Sequence, residues 1–289
     1  MVVDGRTLFR REHGMIEREP IRDRFKDKVA IVTGGANGIG RAIMEELCKE
    51  GARVVIADLS DNGFQAAREM EEKGYGVLFC EGNVSEERYC SSVVERTLEK
   101  WGKVNYLVNN AFSFTAKGLD ATREDWERSL MVGPVAYAVM CQQVVEPMKT
   151  QGGGAIVNMS SISAFIAQPN RWTYNSAKGA VNTLTKCMAF DLAPFNIRVN
   201  SVSPGWIWTQ EVYKAANLDG GGREKWDPVW GEFHMLRRCG DPIEVAAATL
   251  FLLSDDASFI TAADLAVDGG YMGMGSEGLG KQTRLAGSK

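Results

Sequence analysis

Two side chains with acid–base character stand four residues apart at the start of a long helical pattern, in the segment Tyr174-Asn-Ser-Ala-Lys178. Residues four apart share one face of a helix, so Tyr174 and Lys178 are predicted to be neighbours. A phenol loses its proton at about pH 10, and a nearby cation favours the phenolate. Bringing the phenol pKa to neutrality would require a shift of roughly three units, about 4 kcal/mol. The pair could then exchange a proton with a substrate, although this spacing alone is usually structural.

A serine hydroxyl is the third group that could take part in such chemistry. Ser161 stands thirteen residues before Tyr174 and follows the apolar run Ala155–Met159. Ligands of open parallel α/β sheets collect at the carboxyl ends of the strands. The hydroxyl of Ser161 could therefore hold the reacting oxygen of a substrate. Ser160 could take this role instead, and we expect only one of the two to face the cleft.

A glycine-rich segment joins an apolar strand to a helix between Val29 and Gly40. Glycines at such a junction let the backbone approach a pyrophosphate, and the first helical turn presents free N–H groups. The second predicted strand leads into Asp58, where an acid can bind ribose hydroxyls. Asp58 repels a 2′-phosphate and neither Asn37 nor Leu59 is positively charged, so the sequence favours NAD over NADP. The alternative for Asp58 is a helix N-cap or a solvated turn.

These groups must be positioned by a sheet, because from Lys28 onward short apolar runs alternate with longer helical patterns. The pattern is typical of a parallel sheet covered by helices on both faces. The predicted strands are Val29–Thr33, Arg53–Ala57, Gly76–Cys80, Tyr106–Asn109, Ala155–Met159, Arg198–Val202 and Asp264–Val267. The predicted helices are Gly38–Gly51, Asn62–Lys73, Glu86–Trp101, Arg123–Lys149, Thr173–Ala193 and Pro242–Leu253. We expect an α/β fold with a doubly wound, Rossmann-type parallel sheet of seven strands in a three-layer αβα arrangement.

The two ends of the chain and one internal stretch do not follow this alternation. We predict a single domain over residues 25–272, an N-terminal extension over 1–24 and a C-terminal tail over 273–289. Residues 206–239 are rich in aromatic side chains and contain three consecutive glycines, which indicates a loop or short helices. Because this stretch follows the carboxyl end of a strand, it is a candidate substrate lid. The alternative is a surface excursion without function.

The composition argues against several other functions. The net charge is −4 with no long block of like charge, which disfavours nucleic acid and membrane surfaces as partners. With only His13 and His234 available, a histidine metal site or a Ser-His-Asp triad is disfavoured, and we predict no metal. No apolar run reaches the roughly 18 residues of a membrane span. Six scattered cysteines without a C-x-x-C pair fit a reducing, cytoplasmic setting.

Together these segments closely resemble the short-chain dehydrogenase/reductase family over roughly residues 26–272. The family's Thr-Gly-x-x-x-Gly-x-Gly loop matches Thr33 to Gly40, and its Tyr-x-x-x-Lys motif matches Tyr174 and Lys178. Asn109-Asn110-Ala111, Ser161, Pro204-Gly205 and Val267-Asp268-Gly269-Gly270 also match. The resemblance implies hydride transfer to or from NAD with Ser161, Tyr174 and Lys178 as catalytic residues. The NAD-binding residues predicted from the residue pattern and the resemblance are Thr33, Gly34, Asn37, Gly38, Ile39, Gly40, Asp58, Leu59, Asn83, Val84, Asn109, Ala111, Tyr174, Lys178, Pro204, Gly205, Ile207 and Thr209.

The chain departs from the family pattern at four positions. Phe112 ends the usual Asn-Asn-Ala-Gly string, Asn83 replaces a frequent aspartate, and Ala262 replaces a common glycine. Gly133 stands where the family has an active-site asparagine that holds a proton-relaying water. Gly133 keeps its main-chain carbonyl, and Pro134 should distort the helix and free another carbonyl. We therefore expect an altered relay, the alternative being a slow or inactive protein that keeps the cofactor site.

Aromatic side chains concentrate on the predicted substrate side. The candidate substrate contacts are Phe112, Phe165, Trp172, Trp206 and Trp208. They favour an apolar or ring-shaped small molecule, although such residues also pack lids and subunit contacts. We expect an enzyme that interconverts a secondary alcohol and a ketone. The alternatives are an epimerase or dehydratase, and a cofactor-binding regulator or subunit without turnover. The resemblance also implies a homo-oligomer, a tetramer or a dimer.

Overall fold

The computed structural model describes residues 2–3, 6–7, 9–12, 15–218, 220–275 and 278. Most of the predicted tail over 273–289 therefore lies outside the described residues. Four short strands form two antiparallel pairs near the N-terminus. They are β1 (Val2–Val3), β2 (Arg6–Thr7), β3 (Phe9–Glu12) and β4 (Met15–Arg18).

Within the described residues, seven parallel strands form one sheet. They are β5 (Val29–Thr33), β6 (Arg53–Asp58), β7 (Val77–Glu81), β8 (Tyr106–Asn109), β9 (Gly154–Met159), β10 (Ile197–Pro204) and β11 (Asp264–Val267). Their order across the sheet is β11-β10-β9-β8-β5-β6-β7, and all six neighbouring pairs are parallel. The predicted doubly wound sheet is confirmed, because each predicted strand is present with its ends shifted by two residues at most.

Helices cover both faces of the sheet. They are α1 (Gly38–Lys49), α2 (Asn62–Glu72), α3 (Glu87–Trp101), α4 (Arg123–Leu130), α5 (Ala136–Thr150), α6 (Trp172–Leu192), α7 (Gln210–Leu218), α8 (Gly222–Gly231) and α9 (Pro242–Leu253). Side chains alternate between the faces of a strand. Val32 therefore packs in the core with α1, α2 and α9, while Ile31 packs with α3, α5 and α6. Across the described residues, no helix combines the length and the apolar character needed to span a membrane.

The helix predicted over Arg123–Lys149 is wrong as one continuous element. It is interrupted between α4 and α5 by a π-helical turn at Met131–Val135, in which Gly133 has φ −98° and ψ −111°. Pro134 carries no backbone N–H and cannot continue the regular bonding pattern. The distortion predicted from Pro134 is therefore confirmed, and it places Gly133 beside the carboxyl edge of the sheet.

A buried ion cluster fastens the chain before β5 to the end of α1. The carboxylate of Glu50 is fully buried and is paired with the guanidinium groups of Arg18 and Arg24. Arg18 also pairs with Glu46 at 2.6 Å, and the backbone N–H of Ile21 donates to Glu50 at 3.0 Å. A buried charge is tolerated when it is paired and hydrogen-bonded. The segment around Arg18 is therefore held by the helix that opens with the glycine-rich loop.

We expect Arg18→Ala to lower the free energy of unfolding by about 3 kcal/mol, because it leaves the buried Glu46 and Glu50 carboxylates short of a partner. Arg22→Ala is a matched control, since Arg22 is 94% exposed and its pair with Asp23 is open to solvent. Denaturant unfolding of both variants measures the difference. Equal stability of the two variants would contradict the role assigned to the ion cluster.

Candidate active site

A cleft lies along the carboxyl edge of the sheet, beside the point between β5 and β8 where the strand order reverses direction. Such switch points are where open α/β sheets bind ligands. The cleft encloses about 1820 Å³. Pockets for one drug-sized ligand measure roughly 300–1,000 Å³. The cleft therefore has room for a dinucleotide and a small substrate together.

The structure brings most of the predicted site residues to this cleft. Those on its wall are Gly34, Asn37, Gly38, Ile39, Asp58, Leu59, Asn83, Val84, Ala111, Phe112, Ser161, Tyr174, Lys178, Pro204, Gly205, Trp206, Ile207 and Thr209. Three predicted cofactor residues are buried behind the wall instead, namely Thr33, Gly40 and Asn109. These three act on the cleft through their neighbours.

The glycine-rich loop is tied to the end of β8 by a compact set of hydrogen bonds. The Thr33 hydroxyl accepts from the backbone N–H groups of Asn110 and Ala111, at 2.9 and 3.0 Å. The Asn110 amide donates to the carbonyls of Thr33 and Gly34, at 3.1 and 3.0 Å. Gly34 has φ +64°, and a Cβ there would lie 2.8 Å from the Ala111 Cα. Asn110 is a site residue absent from the predicted set, although the Asn-Asn-Ala string contained the signal.

Asn109 supports the joint between strands rather than the cleft surface. Its side-chain amide donates to Asn158 Oδ1 at 2.9 Å and to the carbonyl of Tyr137 at 3.2 Å. These contacts join β8, β9 and α5 directly beneath the cleft. Asn109 is therefore buried beneath Asn110 and Ala111, which are the residues on the cleft wall.

The N-terminus of α1 is suited to bind a phosphate group. Asn37 precedes the helix, but its side chain does not cap it, and the first turn contains no acidic residue. Instead Asn37 Oδ1 accepts from the amides of Asn62 and Gln210, at 3.0 and 3.2 Å. The first N–H groups of a helix have no partner within the helix and lie at its positive end. The residues present therefore fit the pyrophosphate of a dinucleotide.

Asp58 lies at the end of β6 with its carboxylate at the cleft. Its two oxygens accept hydrogen bonds from the backbone N–H groups of Ala36 and Ser60, both at 2.9 Å. A carboxylate oxygen has two lone pairs, so each oxygen can accept a further bond. Both contacts hold the side chain rigidly while leaving it able to bind sugar hydroxyls.

Ser161, Tyr174 and Lys178 converge at the carboxyl end of β9. The Lys178 Nζ donates to the Met159 carbonyl at 2.8 Å and lies 5.8 Å from the centre of the Tyr174 ring. The Ser161 side chain is close enough to the Tyr174 phenol to lower its pKa by hydrogen bonding. Ser160 is turned away from this group, because its hydroxyl donates to the Lys178 carbonyl at 3.4 Å. Of the two serines, Ser161 is the one placed for chemistry.

Burial shifts the pKa values of both ionisable groups away from the charged forms. It raises the pKa of Tyr174, whereas the hydrogen bond from Ser161 and the charge of Arg171 act in the opposite direction. It lowers the pKa of Lys178 to about 7. Perturbed ionisation of this kind, caused by desolvation beside a charge partner in a cleft, is typical of catalytic groups.

The predicted aromatic contacts divide into two groups. Trp206 and Phe112 lie on the cleft wall. Phe165 and Trp172 are half-exposed, and Trp208 is buried with its indole N–H donating to Asp227 Oδ1 at 2.6 Å. The structure does not bring these last three to the cleft, because two face solvent and one packs inside the lid. Phe114, Met131 and Trp230 also line the wall.

Residues 206–239 form the helices α7 and α8 and cover one side of the cleft. The centre of this segment is an aromatic cluster in which the Trp230 ring lies 5.2 Å from Trp206, 5.6 Å from Trp208 and 5.1 Å from Trp226. Gln210 fastens its first helix to Asn37 of the glycine-rich loop. The segment therefore lines the cleft and contacts the glycine-rich loop, and its role as a lid stays a prediction.

Known proteins are similar to this chain in sequence and in fold. Residues 34–272 match the family model described as enoyl-(acyl carrier protein) reductase. Cyclopentanol dehydrogenase from Comamonas is 38% identical over 250 residues, covering 86% of this chain and 98% of the relative. NADP-dependent (R)-specific alcohol dehydrogenase from Lentilactobacillus kefiri is 36% identical over 255 residues, covering 86% and 98%.

One of the solved structures is similar to this chain in fold as well as in sequence. It is 7α-hydroxysteroid dehydrogenase complexed with NADH and 7-oxo glycochenodeoxycholic acid, with a TM-score of 0.80 and 32% identity over 86% of this chain and 95% of that one. The likeness in sequence and in fold extends over most of the chain. The chain therefore belongs to the short-chain dehydrogenase/reductase family, as the segments around Thr33 and Tyr174 predicted.

Proposed function

We propose that this protein is an NAD-dependent oxidoreductase that interconverts a secondary alcohol and a ketone. The observation that carries the proposal is the convergence of Ser161, Tyr174 and Lys178 on the wall that also bears the glycine-rich loop and Asp58. Proton exchange and nucleotide binding are thus provided side by side. The dehydrogenase names of the relatives and of the structural neighbour support the same chemistry.

The geometry assigns a role to each side chain. The Ser161 hydroxyl and the Tyr174 phenol both line the cleft, so one substrate oxygen bound there would be able to contact both. In alcohol oxidation the Tyr174 phenolate accepts the hydroxyl proton, and in ketone reduction the phenol returns it. Bound NAD would supply the acceptor for the hydride that leaves the carbinol carbon. Ser161 holds the oxygen in place throughout.

Lys178 assists this proton exchange through its charge. Its amine is buried against the Met159 carbonyl, and its charged form favours the Tyr174 phenolate. Because burial brings the pKa of Lys178 to about 7, the amine can change its protonation state near neutrality. The same residue can therefore stabilise the phenolate and pass on its proton.

Asp58 supports NAD rather than NADP as the cofactor. The residues that share this end of the cleft wall, among them Asn37, Leu59 and Asn83, carry no positive charge to bind a 2′-phosphate. We expect Asp58→Ala to reduce the preference for NAD by about tenfold or more, because a charge-assisted hydrogen bond to the ribose is lost. Values of kcat/KM with each cofactor measure this change. A native preference for NADP would overturn the assignment, which matters because one relative is NADP-dependent.

The substrate end of the cleft favours an apolar ring. Phe112, Phe114, Met131, Trp206 and Trp230 line this end. Aromatic walls bind apolar rings by area burial and stacking. The relatives and neighbours named for cyclopentanol and a hydroxysteroid also act on ring compounds. We expect cyclopentanol and cyclohexanol to be oxidised with a higher kcat/KM than linear polyols, and turnover of polyols alone would refute the apolar pocket.

A further inference from the structure

Phe112 and Gly133 depart from the family pattern separately in the sequence, but they touch in the structure. A Cβ placed on Gly133 would lie 2.7 Å from Cε2 and 3.3 Å from Cδ2 of the Phe112 ring. Contacts below 3.0 Å force a neighbour to move. The Phe112 ring therefore occupies the space that any side chain at position 133 would need.

The same ring contacts both members of the Tyr–Lys pair. The Lys178 Nζ lies 4.1 Å from the centre of the Phe112 ring, closer than it lies to either neighbouring phenol ring. The Tyr174 ring meets Phe112 edge-on, with centres 5.3 Å apart and planes at 89°. Phe112 thus connects Gly133 on one side with the proton-exchanging pair on the other.

We propose that Phe112 and Gly133 form a compensating pair, in which the Phe112 ring fills the place of a side chain at position 133 and holds the charged Lys178 amine. Phe112 is then a positioning residue that acts through Lys178, in addition to lining the substrate end of the cleft. The inference rests on the proposed function, because it gives Lys178 its role beside Tyr174.

The surroundings of Lys178 explain why an aromatic ring is suited to this place. The Lys178 amine has three N–H donors when charged, and one of them donates to the Met159 carbonyl. The titratable groups that face the Lys178 amine are Tyr137 from α5 and Tyr174 from its own helix. Burial lowers the pKa of Lys178. The face of an aromatic ring attracts a cation without bringing water or another ionisable group. Phe112 therefore favours the charged amine in a dry environment.

A double-mutant cycle in thermal or denaturant unfolding tests the pairing without catalysis. We expect Gly133→Asn alone to raise the equilibrium constant for unfolding by about tenfold or more, because it overpacks the site. In the Phe112→Ala background the same substitution should change this constant by less than about threefold, since the space is then free. Phe114→Leu is the matched control, because Phe114 also packs against Tyr174, and Gly133→Asn should keep its full effect in that background.

If Gly133→Asn fails to fold, recovery of folded protein in the Phe112→Ala double variant supports the pairing. Effects of Gly133→Asn that are the same in both backgrounds would overturn it. These measurements need no substrate. A chain that shows no turnover would therefore refute the proposed function while the pairing is still tested.

The contact with Lys178 is tested by Phe112→Leu, which keeps an apolar side chain but removes the ring face. Without the ring face the pKa of Lys178 should fall. We therefore expect the decrease of kcat/KM that accompanies loss of the Lys178 proton to occur about one pH unit lower. Phe114→Leu should leave that decrease at the same pH. A pH profile that Phe112→Leu does not move would contradict the role of the ring in holding the charge.

Discussion

Replacing Tyr174 by phenylalanine is expected to lower kcat for alcohol oxidation by a factor of about 10² to 10⁴, the usual contribution of a positioned acid or base. The phenol lies on the cleft wall together with Ser161 and beside the buried Lys178 amine. The substitution removes the oxygen that exchanges the proton but keeps the ring that packs against Phe112. Steady-state kinetics with cyclohexanol and NAD measure the loss.

Tyr106→Phe is the matched control for this substitution. Tyr106 is a buried phenol in the core on β8, packed edge-on against Phe25, and burial raises its pKa to about 12. Removing its hydroxyl leaves the cleft untouched. Tyr106→Phe should retain full NADH affinity, and Tyr174→Phe, which loses one predicted contact with the cofactor, should still bind NADH. A Tyr174→Phe protein that turns over at a rate close to that of Tyr106→Phe would show that another group exchanges the proton.

Gly40→Ala is expected to weaken NADH binding by about tenfold to a hundredfold, the range that corresponds to overpacking by one methyl group. The added Cβ would lie 2.1 Å from the Gly34 carbonyl oxygen and 2.5 Å from the Asn110 amide nitrogen. Both atoms belong to the hydrogen-bonded set that shapes the glycine-rich loop. The loop must therefore move away from the N-terminus of α1, where the pyrophosphate is expected.

The control for Gly40→Ala is the same substitution at a glycine with space around it. A Cβ on Gly179 in α6 would meet its nearest atom, the Ala164 carbonyl oxygen, at 4.0 Å. Gly179→Ala should therefore keep NADH affinity. Calorimetric titration with NADH, with thermal unfolding of each variant, separates lost binding from lost folding. Wild-type affinity in a folded Gly40→Ala protein would refute the placement of the cofactor at this loop.

The sheet could be predicted from the sequence because most of its strands are buried on both faces. Val29–Thr33 and Arg53–Asp58 are apolar along almost their whole length, and glycines or helix starts follow them. Local patterns of this kind need no knowledge of the rest of the chain. The Tyr174–Lys178 neighbourhood was predictable for the same reason, since helical spacing alone fixes it.

The features that could not be predicted all depend on contacts between distant segments. Glu50 is paired with Arg18 from a segment 32 positions earlier, and no local pattern reveals that pair. Trp206 and Trp208 are both tryptophans and stand two positions apart in the sequence. Trp208 nevertheless packs inside the lid, whereas Trp206 lines the cleft. The contact between Phe112 and Gly133 likewise appears when the π-helical turn brings α4 and α5 against the end of β8. The domain limits, the homo-oligomer and the cytoplasmic location stay predictions.

The most direct test follows hydride transfer with and without the Tyr174 hydroxyl. Cyclohexanol deuterated at its carbinol carbon is incubated with NAD and either the wild-type protein or Tyr174→Phe, and the reduced cofactor is analysed by mass spectrometry. We expect deuterated NADH from the wild-type protein and almost no deuterated NADH from Tyr174→Phe, although both proteins bind NADH. Unlabelled NADH from the wild-type protein, or no reduced cofactor from any cyclic alcohol despite NADH binding, would contradict the proposed function.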